Sequence, residues 1–138
     1  MSLASPTRAR DLAVRPATFD DAAFVADLFT ALNPDEPSDP VVQRYQWENA
    51  PPEQVFERFI AERDGAPVGF AAHAHTKRFG FVGGDVLPAL RTAERVRALY
   101  DFVERLSRAD GTEIFSTWSA EKDGWRVDLL TQRGYRRT

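Results

Sequence analysis

Two histidines separated by a single residue are the first candidates for chemistry in this sequence. If His73 and His75 lie on a strand, their side chains share one face of the sheet. Either imidazole could then accept a proton from an amine or from an intervening water molecule, because histidine titrates near neutral pH. As metal ligands they would need a third partner, and no suitably spaced carboxylate or histidine supplies one, so we expect no metal site. The alternative is that both rings only fill space on a sheet face.

An acidic residue beside a pair of glycines is the next candidate. Asp85 follows Gly83 and Gly84, and glycine in a strand permits a β-bulge or the close approach of another backbone. A carboxylate at this place could serve as a general base. It could equally be a turn carboxylate that bonds to nearby backbone amides. Asp85 therefore joins the two histidines as a candidate catalytic residue.

A cluster of arginines marks the beginning of the longest predicted helix. Arg91, Arg95 and Arg97 fall in or just before its first turns, where cations oppose the helix dipole. One interpretation is a clamp for phosphate groups made of guanidinium side chains. The other is a solvated helix face on which the arginines pair with Glu94 and Asp101 at helical spacing. Arg95 and Arg97 cannot both face one ligand on a helix, which favours the second interpretation.

The composition excludes several classes of protein. The chain has 138 residues and no cysteine, which excludes disulfide scaffolds, thiol nucleophiles and cysteine-ligated metal centres. Its net charge of -3 argues against a nucleic-acid binder. No apolar run is long enough to span a membrane, and the first residues lack the apolar core of a signal peptide. We therefore expect a cytoplasmic protein with neither nucleic acid nor membrane as a partner.

The hydrophobic pattern places these candidates in an α+β fold. Residues 1–10 lack periodicity and are expected to form a loose leader before a single domain over residues 11–138. Alternation predicts strands at about 12–15, 55–63, 68–76, 79–87 and 114–118, and helical spacing predicts helices at about 18–32, 41–49, 92–109 and 123–133. Asp64-Gly65 predicts a hairpin. This order of elements predicts one mixed sheet flanked by helices.

Four fragments in a fixed order resemble the GNAT superfamily of N-acetyltransferases. They are Val14-Arg15-Pro16-Ala17-Thr18-x-x-Asp21, the stretch from Ala61 to Gly69, Val86-Leu87-Pro88-Ala89-Leu90-Arg91, and Leu129-Leu130-x-x-x-Gly134-Tyr135. The resemblance extends from about Leu12 to the end of the chain. It implies a mixed, mostly antiparallel sheet flanked by helices, and transfer of an acetyl group from acetyl-CoA to an amine.

The resemblance implies a site for acetyl-CoA at the end of the fourth strand and the start of the main helix. Backbone amides and the helix dipole would bind the pyrophosphate there, and amides near the strand end would polarise the thioester carbonyl. The residues that match the family's cofactor positions are Val86, Leu87, Arg91, Thr92, Ala93, Glu94, Arg95, Val96 and Asp123.

The resemblance also implies an acceptor site for a small-molecule or peptide amine, which the sequence does not identify. His73, His75 and Asp85 are the candidates for handling protons as the amine attacks. Tyr45 and Trp47 would border the acceptor cleft, although aromatic residues under a long loop are also typical of a satellite core.

The sequence departs from the family's pattern in its loop, in its general acid and at its end. Glu94 and Val96 stand where the family has the glycines of the pyrophosphate loop, and Leu130 stands where many members have a tyrosine that protonates the departing thiolate. The usual fold continues with further strands after Gly134-Tyr135, so we expect incomplete C-terminal strands, or completion by a homodimer or a second GNAT domain. An alternative function therefore stays open: a non-catalytic GNAT-like structural or regulatory domain that has lost acetyl-CoA binding.

Overall fold

The computed structural model describes residues 7–53, 55–76, 78–117 and 123–136, with Thr7 described by its backbone alone. The strands are β1 (Thr7–Ala9), β2 (Leu12–Pro16), β3 (Val55–Arg63), β4 (Ala66–Thr76), β5 (Phe79–Val86) and β6 (Ile114–Ser116). The helices are α1 (Ala22–Leu32), α2 (Pro40–Glu48), α3 (Ala93–Ala109) and α4 (Gly124–Gln132), with short 3₁₀ turns at Phe19–Asp21 and Pro88–Leu90. The α+β class predicted from the sequence is confirmed. None of the helices in these described ranges is long and apolar enough to cross a membrane.

The six strands form one sheet in which every strand lies next to its neighbour in the sequence, in the order β1-β2-β3-β4-β5-β6. All pairs are antiparallel except β5 with β6, which run parallel. Asp64 and Gly65 join β3 to β4 with φ angles of 54° and 80°. A two-residue hairpin turn of type I′ requires positive φ at both positions, so the hairpin predicted from Asp64-Gly65 is confirmed.

The helix α3 covers one face of the sheet and holds the main core. Its side chains Val96, Leu99 and Val103 are 0% exposed and pack against residues of β2 to β5, including Phe59 and Val82. Each of them contributes about 1.5–3 kcal/mol by leaving water. Leu129 and Leu130 of α4 complete this core. The sheet face that carries Phe59 therefore faces α3 and α4.

The glycine pair in β5 serves this packing and forms no bulge. The pairing of β4 with β5 runs without a register shift from Gly69–Val86 to Thr76–Phe79. A Cβ atom added at Gly84 would lie 2.9 Å from the Cβ atom of Leu99. Of the two possibilities that the sequence left open, Gly84 therefore provides the close approach.

The helices α1 and α2 cover the opposite face. Val25 of α1 and Trp47 of α2 pack with Ile60 of β3 in a second, smaller core. The side chain of Asp39 caps α2 by accepting from the backbone amides of Val41 and Val42 at 2.8 and 3.2 Å. The loop between α1 and α2 and the helix α2 therefore form one wall over the sheet.

Residues 7–9 form a strand, whereas the lack of periodicity in the sequence predicts a loose leader over residues 1–10. β1 pairs antiparallel with β2, and Ala9 is buried at 6% exposure in the main core. The reversal between the two strands uses Arg10, whose φ is 59°. A strand of three residues is too short to show alternation, so the sequence pattern could not reveal it.

The last described segment docks onto α3. α4 ends near Gly134, whose φ is 93°, and the hydroxyl of Tyr135 donates to Glu104 at 2.7 Å. Arg133 pairs with the same carboxylate at 2.7 Å. No further strand follows β6 among the described residues up to Arg136, and Trp118, predicted at the end of the last strand, lies outside the described residues.

Candidate functional site

The strands β5 and β6 separate before β5 ends. Their parallel ladder runs only from Phe79 opposite Ile114 to Phe81 opposite Ser116, whereas β5 continues to Val86. In the described part of the chain, no strand lies beside the edge of β5 from Val82 to Val86 on the β6 side. We call this gap, between residues 82–86 and the chain at Thr117, the splay.

A cavity of about 780 Å³ connects the splay to the space beneath α1 and α2. This volume is in the range of pockets for small molecules. One part of its wall is apolar and aromatic, with Phe29, Trp47, Phe56, Phe70 and Phe81. The part at the splay is polar, with Asp85, Arg91, Tyr100, Thr117, Asp123 and Arg126. The cavity therefore combines an apolar chamber with a polar end.

The polar end is organised around the carboxylate of Asp85. Arg91 donates to its two oxygens from Nε at 3.0 Å and from Nη2 at 2.9 Å, and Arg126 donates to the same carboxylate from α4. Asp123 lies 3.5 Å from Arg91. Burial lowers the pKa of Arg126 to about 10, while the adjacent carboxylate favours the charged form. Asp85, Arg91, Asp123 and Arg126 therefore bring two acidic and two basic side chains together at the polar end.

A tyrosine from α3 adds a neutral proton donor to this end. The hydroxyl of Tyr100 lies 2.8 Å from Oγ1 of Thr117 and accepts from Arg126 at 3.3 Å. The ring is 1% exposed, and burial raises the pKa of Tyr100. The phenol therefore stays protonated at neutral pH. Leu130, at the position where the resemblance implies a tyrosine, lies in the main core instead.

Arg58 lies in the apolar chamber, and no carboxylate among the described residues pairs with its guanidinium. The guanidinium of Arg58 stacks over the rings of Trp47 and Phe56, with its Cζ atom 4.7 and 3.9 Å from their centroids. Its Nε is buried without a hydrogen-bond partner in the described part of the chain, and burial lowers the pKa of Arg58. Arg58 therefore offers the cavity a guanidinium that no described carboxylate neutralises.

The backbone amides at the end of β5 differ in their availability. The amide of Leu87 donates to the carbonyl of Val68 at 2.8 Å, and that of Val86 donates to Asp85 at 2.8 Å. The amides of Val86 and Leu87, which the resemblance places at the strand end where the thioester carbonyl would be polarised, are therefore already hydrogen-bonded within the chain. Since amides alternate between the two edges of a strand, and Leu87 bonds to β4, the amides of Val82 and Gly84 point toward the splay.

Some backbone amides at the start of α3 are already hydrogen-bonded within the chain. The hydroxyl of Thr92 caps the amide of Arg95 at 3.2 Å, and the amide of Val96 bonds to the carbonyl of Thr92 at 3.1 Å. Val96 contributes its side chain to the core rather than to a ligand site. The first amides of the helix are those of Ala93 and Glu94, and the first four amides of a helix have no partner within it.

The arginines near the start of α3 have carboxylate partners from other elements. Arg91 pairs with Asp85, as described above. Arg95 pairs with Asp11 at 2.8 Å and donates to the carbonyl of Leu90 at 2.8 Å. The hydrogen bonds from Arg95 lower the pKa of the Asp11 carboxyl. These pairs differ from the partners Glu94 and Asp101 that helical spacing indicated.

The two histidines lie on the other face of the sheet from Asp85. The ring of His73 stacks with that of Phe59, on the face that α3 covers, although His73 also contributes to the cavity lining. His75 lies 3.6 Å from Asp110 at the end of α3. The structure thus brings Asp85, Arg91 and Asp123 together at the splay and separates them from both histidine rings.

Sequence reasoning missed three of the cavity's functional groups. Arg126 shares a helix face with the buried Leu129 and Leu130, and Arg58 alternates with Phe56 and Ile60 on the same face of β3. A cation on an apolar face is the signal that could have identified both. Tyr100 lies on the apolar stripe of α3, where the sequence pattern indicates only a core residue and not the partners of its hydroxyl.

Comparison with known proteins identifies the fold. No family model and no curated protein matches the sequence. A tandem GNAT protein from the clavulanic acid biosynthesis pathway, solved without acetyl-CoA, superimposes with a TM-score of 0.79 at 19% identity, over 93% of this chain and 45% of that one. The chain has the fold of the GNAT acetyltransferases.

Other GNAT structures support this assignment. YncA from Salmonella typhimurium, solved with its cofactor acetyl-CoA, gives a TM-score of 0.74 at 15% identity over 94% of this chain and 82% of that one. A ribosomal-protein-alanine N-acetyltransferase from Brucella melitensis gives 0.74 at 17% identity over 91% and 85%. The chain therefore spans under half of the tandem protein but most of the single GNAT chains. At these identities the likeness establishes the GNAT fold, and function must be argued from the site.

Proposed function

We propose that this chain is an acetyl-CoA-dependent N-acetyltransferase that acts on an amine. The observation that carries the proposal is the splay between β5 and β6, which opens into a cavity with an aromatic chamber. Acetyl-CoA would supply the acetyl thioester. The fold, the polar groups along the splay and the volume of the chamber fit a cofactor arm that meets an acceptor inside the protein.

The backbone of β5 and the start of α3 would hold the cofactor. The amides of Val82 and Gly84 point toward the splay and can bond to amide and thioester carbonyl groups. The amides of Ala93 and Glu94 and the dipole of α3 favour a phosphate group. Glu94 opposes this attraction with its own charge, so we expect weaker pyrophosphate binding than a glycine-rich loop provides.

Tyr100 would act as the general acid. Its hydroxyl lies at the polar end of the cavity, and burial keeps the phenol protonated. The adjacent charge of Arg126, which donates to the phenol oxygen, would stabilise the phenolate after proton transfer. In this proposal the general acid comes from α3, whereas the resemblance implies a tyrosine at the position of Leu130 in α4.

Asp85 would organise the site rather than act as a base. Its carboxylate is held by two guanidinium groups and is therefore a weak proton acceptor. The attacking amine would enter deprotonated. The rings of His73 and His75 face α3, so this proposal gives them no step in the transfer.

Arg58 favours an acceptor that carries an anionic group beside its amine. A half-buried guanidinium between two aromatic rings recognises carboxylate or phosphate, because the pairing restores the charge balance that burial disturbs. Amino acids and their amides form a matched pair of acceptors that differ in this charge. We expect faster transfer to the acids, and loss of that preference in Arg58→Met.

The test of the function is binding followed by turnover. Acetyl-CoA and coenzyme A are titrated into the 138-residue chain while its melting temperature is followed, and thiol release is then measured with a panel of amines. Because the chain has no cysteine, every thiol detected comes from coenzyme A. We expect a saturable rise of several degrees and amine-dependent thiol release.

A variant that fills the cavity supplies the control. A Cβ atom at Gly83 would meet only Phe81, at 3.8 Å, and Gly83 lines the cavity. The Cβ of Gly83→Leu therefore needs no backbone shift, and we expect the rest of its side chain to occupy the cavity. The matched control variant is Ala66→Leu, which adds a leucine at an exposed position at the start of β4. Gly83→Leu should lose the thermal response and Ala66→Leu should keep it. A response that survives in Gly83→Leu would contradict binding at the splay.

A non-catalytic GNAT-like domain is the second candidate. The observation that favours it is the contact of Arg126 with Asp85, which crosses the splay where the cofactor arm would pass. If cooperative melting shows no response to acetyl-CoA or coenzyme A, this structural or regulatory function replaces the first. The homodimer or second GNAT domain expected from the sequence would then be its partner.

A further inference from the structure

The two histidines of the chain are buried, with His73 0% exposed and His75 9% exposed. All four of their ring nitrogens are buried, and none has a hydrogen-bond partner among the described residues. The rings stack in parallel, with 5.9 Å between centroids and 2° between planes. Buried polar atoms are normally satisfied, so four orphaned nitrogens in one place need an explanation.

Carboxylates lie within reach of both rings. Oδ2 of Asp110 is 3.6 Å from Nε2 of His75, and Oε1 of Glu57 is 3.3 Å from Nε2 of His73. Ligand atoms of His73, His75 and Asp110 all lie within 4.8 Å of one another. Donor atoms about 2 Å from a shared metal ion lie about 3.5 Å apart. Small side-chain rotations would therefore close this cluster around an ion.

The sequence did not reveal this arrangement because its third member is distant along the chain. Asp110 is the residue that follows α3, and the fold returns it to the end of β4 beside His75. This placement supplies the carboxylate whose apparent absence led us to expect no metal site. The carbonyl end of α3 adds negative potential there, which favours a cation.

We propose that His73, His75 and Asp110 bind a divalent transition-metal ion of the zinc class. Imidazole and carboxylate are the ligands that zinc and its neighbours prefer. Glu57 either completes the coordination or orients His73 by accepting from its other nitrogen. The side chain of Asp110 is 44% exposed, which gives the ion a path from solvent.

The ion would tie the C-terminal end of α3 to the sheet. The histidine rings lie on the face that α3 covers, whereas Asp85 and Arg126 lie at the splay. The ion would therefore have a structural role, at a place apart from the polar groups of the splay. Its test needs no activity measurement.

The experiment uses the 138-residue chain free of any histidine tag and treated with a chelator. Zn²⁺ and Co²⁺ are titrated in by calorimetry, and the imidazole resonances are followed by NMR. Because the chain has two histidines and no cysteine, imidazole ligation reports on this cluster alone. We expect one ion per chain, shifted resonances of both imidazoles and a melting temperature raised by several degrees.

Two variants separate ligation from general charge effects. Asp110→Asn removes the carboxylate at an exposed helix end and should weaken Zn²⁺ binding on the order of 10–100-fold or more. Glu113→Gln removes an equal charge from the nearby exposed Glu113 and should leave binding unchanged. The proposal is overturned if neither ion binds stoichiometrically, if the imidazole resonances do not move, or if Asp110→Asn binds as well as the unmodified chain. His75→Gln, checked for folding by circular dichroism, should bind as weakly as Asp110→Asn.

Discussion

Arg126 reaches from α4 to the carboxylate of Asp85 near the end of β5 and bridges the splay between β5 and β6. Arg91 donates to both oxygens of the same carboxylate and shares Oδ2 with Arg126. The guanidinium of Arg91 also lies over the ring of Trp125, 4.3 Å from the centroid. Asp85 therefore ties α4 and the loop before α3 to the sheet. The pair lines the polar end of the cavity and joins elements that are distant in the sequence.

The first prediction concerns the strength of this bridge. The Asp85 side chain is 12% exposed and that of Arg126 is 8% exposed, so Asp85→Asn leaves a buried guanidinium without its carboxylate and should lower the free energy of unfolding by about 3 kcal/mol or more. Arg126→Gln leaves Asp85 bonded to Arg91 and should therefore cost less. The double variant should cost about 1–3 kcal/mol less than the sum. Urea unfolding of the four proteins measures this coupling.

An exposed ion pair is the control for this cycle. Arg44 and Asp20 lie 2.9 Å apart with side-chain exposures of 46% and 88%. Screening by water makes such surface pairs weak, so Arg44→Gln and Asp20→Asn should show no measurable coupling. Equal coupling energies at both pairs would show that burial does not strengthen the interaction between Asp85 and Arg126.

The second prediction concerns the approach of α3 to β5. Gly84→Ala places a Cβ atom 2.9 Å from that of Leu99 and should lower the free energy of unfolding by about 1–3 kcal/mol through overpacking. Gly124→Ala, in the first turn of α4 with no atom within 4 Å of the added Cβ, should instead be neutral or raise it by about 0.5–1 kcal/mol. Thermal melts of both variants give the comparison. A neutral Gly84→Ala would mean that the helix does not pack this closely.

Much of the fold could be predicted because its signals are local. Asp64-Gly65 sets a hairpin through backbone conformation, and Val96, Leu99 and Val103 mark the buried stripe of α3 within a few turns. The capping residues Thr18 and Asp21 likewise act over three positions in the sequence. Such features depend on neighbours in the chain, which a single sequence displays.

The candidate site was less predictable because its contacts join distant segments. Asp85 and Arg126 are 41 positions apart, and the sequence around neither residue indicates that the two are in contact. The same holds for His75 and Asp110, which meet through the return of the chain after α3. Sheet register decides which backbone amides point toward the splay. The sequence therefore could not show that the amide of Gly84, rather than that of Leu87, is free to donate a hydrogen bond to the cofactor.

The third prediction is a pH dependence at the entry to α1. Arg15 donates to both oxygens of Asp21 at 2.8 and 2.9 Å, and the amide of Thr18 donates to it at 2.7 Å. These bonds, led by that from Arg15, hold the pKa of the Asp21 carboxyl below its usual value of 3.8. A lowered pKa in the folded state means stabilisation that is present above about pH 4 and is lost as the pH falls through the folded pKa.

Asp21→Asn tests this dependence because the amide can still cap the turn. The variant should be less stable than the unmodified chain by about 1 kcal/mol at pH 7, and the difference should shrink below pH 4 as Asp21 becomes protonated. Urea unfolding at several pH values measures it. A difference that stays constant down to pH 2.5 would show that the charge of Asp21 contributes nothing.

The last prediction concerns the hydroxyl of Tyr100. If Tyr100 protonates the departing thiolate, Tyr100→Phe should lower kcat about 10²- to 10⁴-fold and leave the KM for acetyl-CoA nearly unchanged. The loss should be smaller for acyl donors whose thiolate is a better leaving group, because these need less protonation. Tyr45, expected from the sequence to border the acceptor cleft, is 65% exposed and is not among the residues that line the cavity. Tyr45→Phe should therefore keep the full rate. Equal rates for Tyr100→Phe and the unmodified chain would assign the phenol a packing role, held by Thr117 and Arg126.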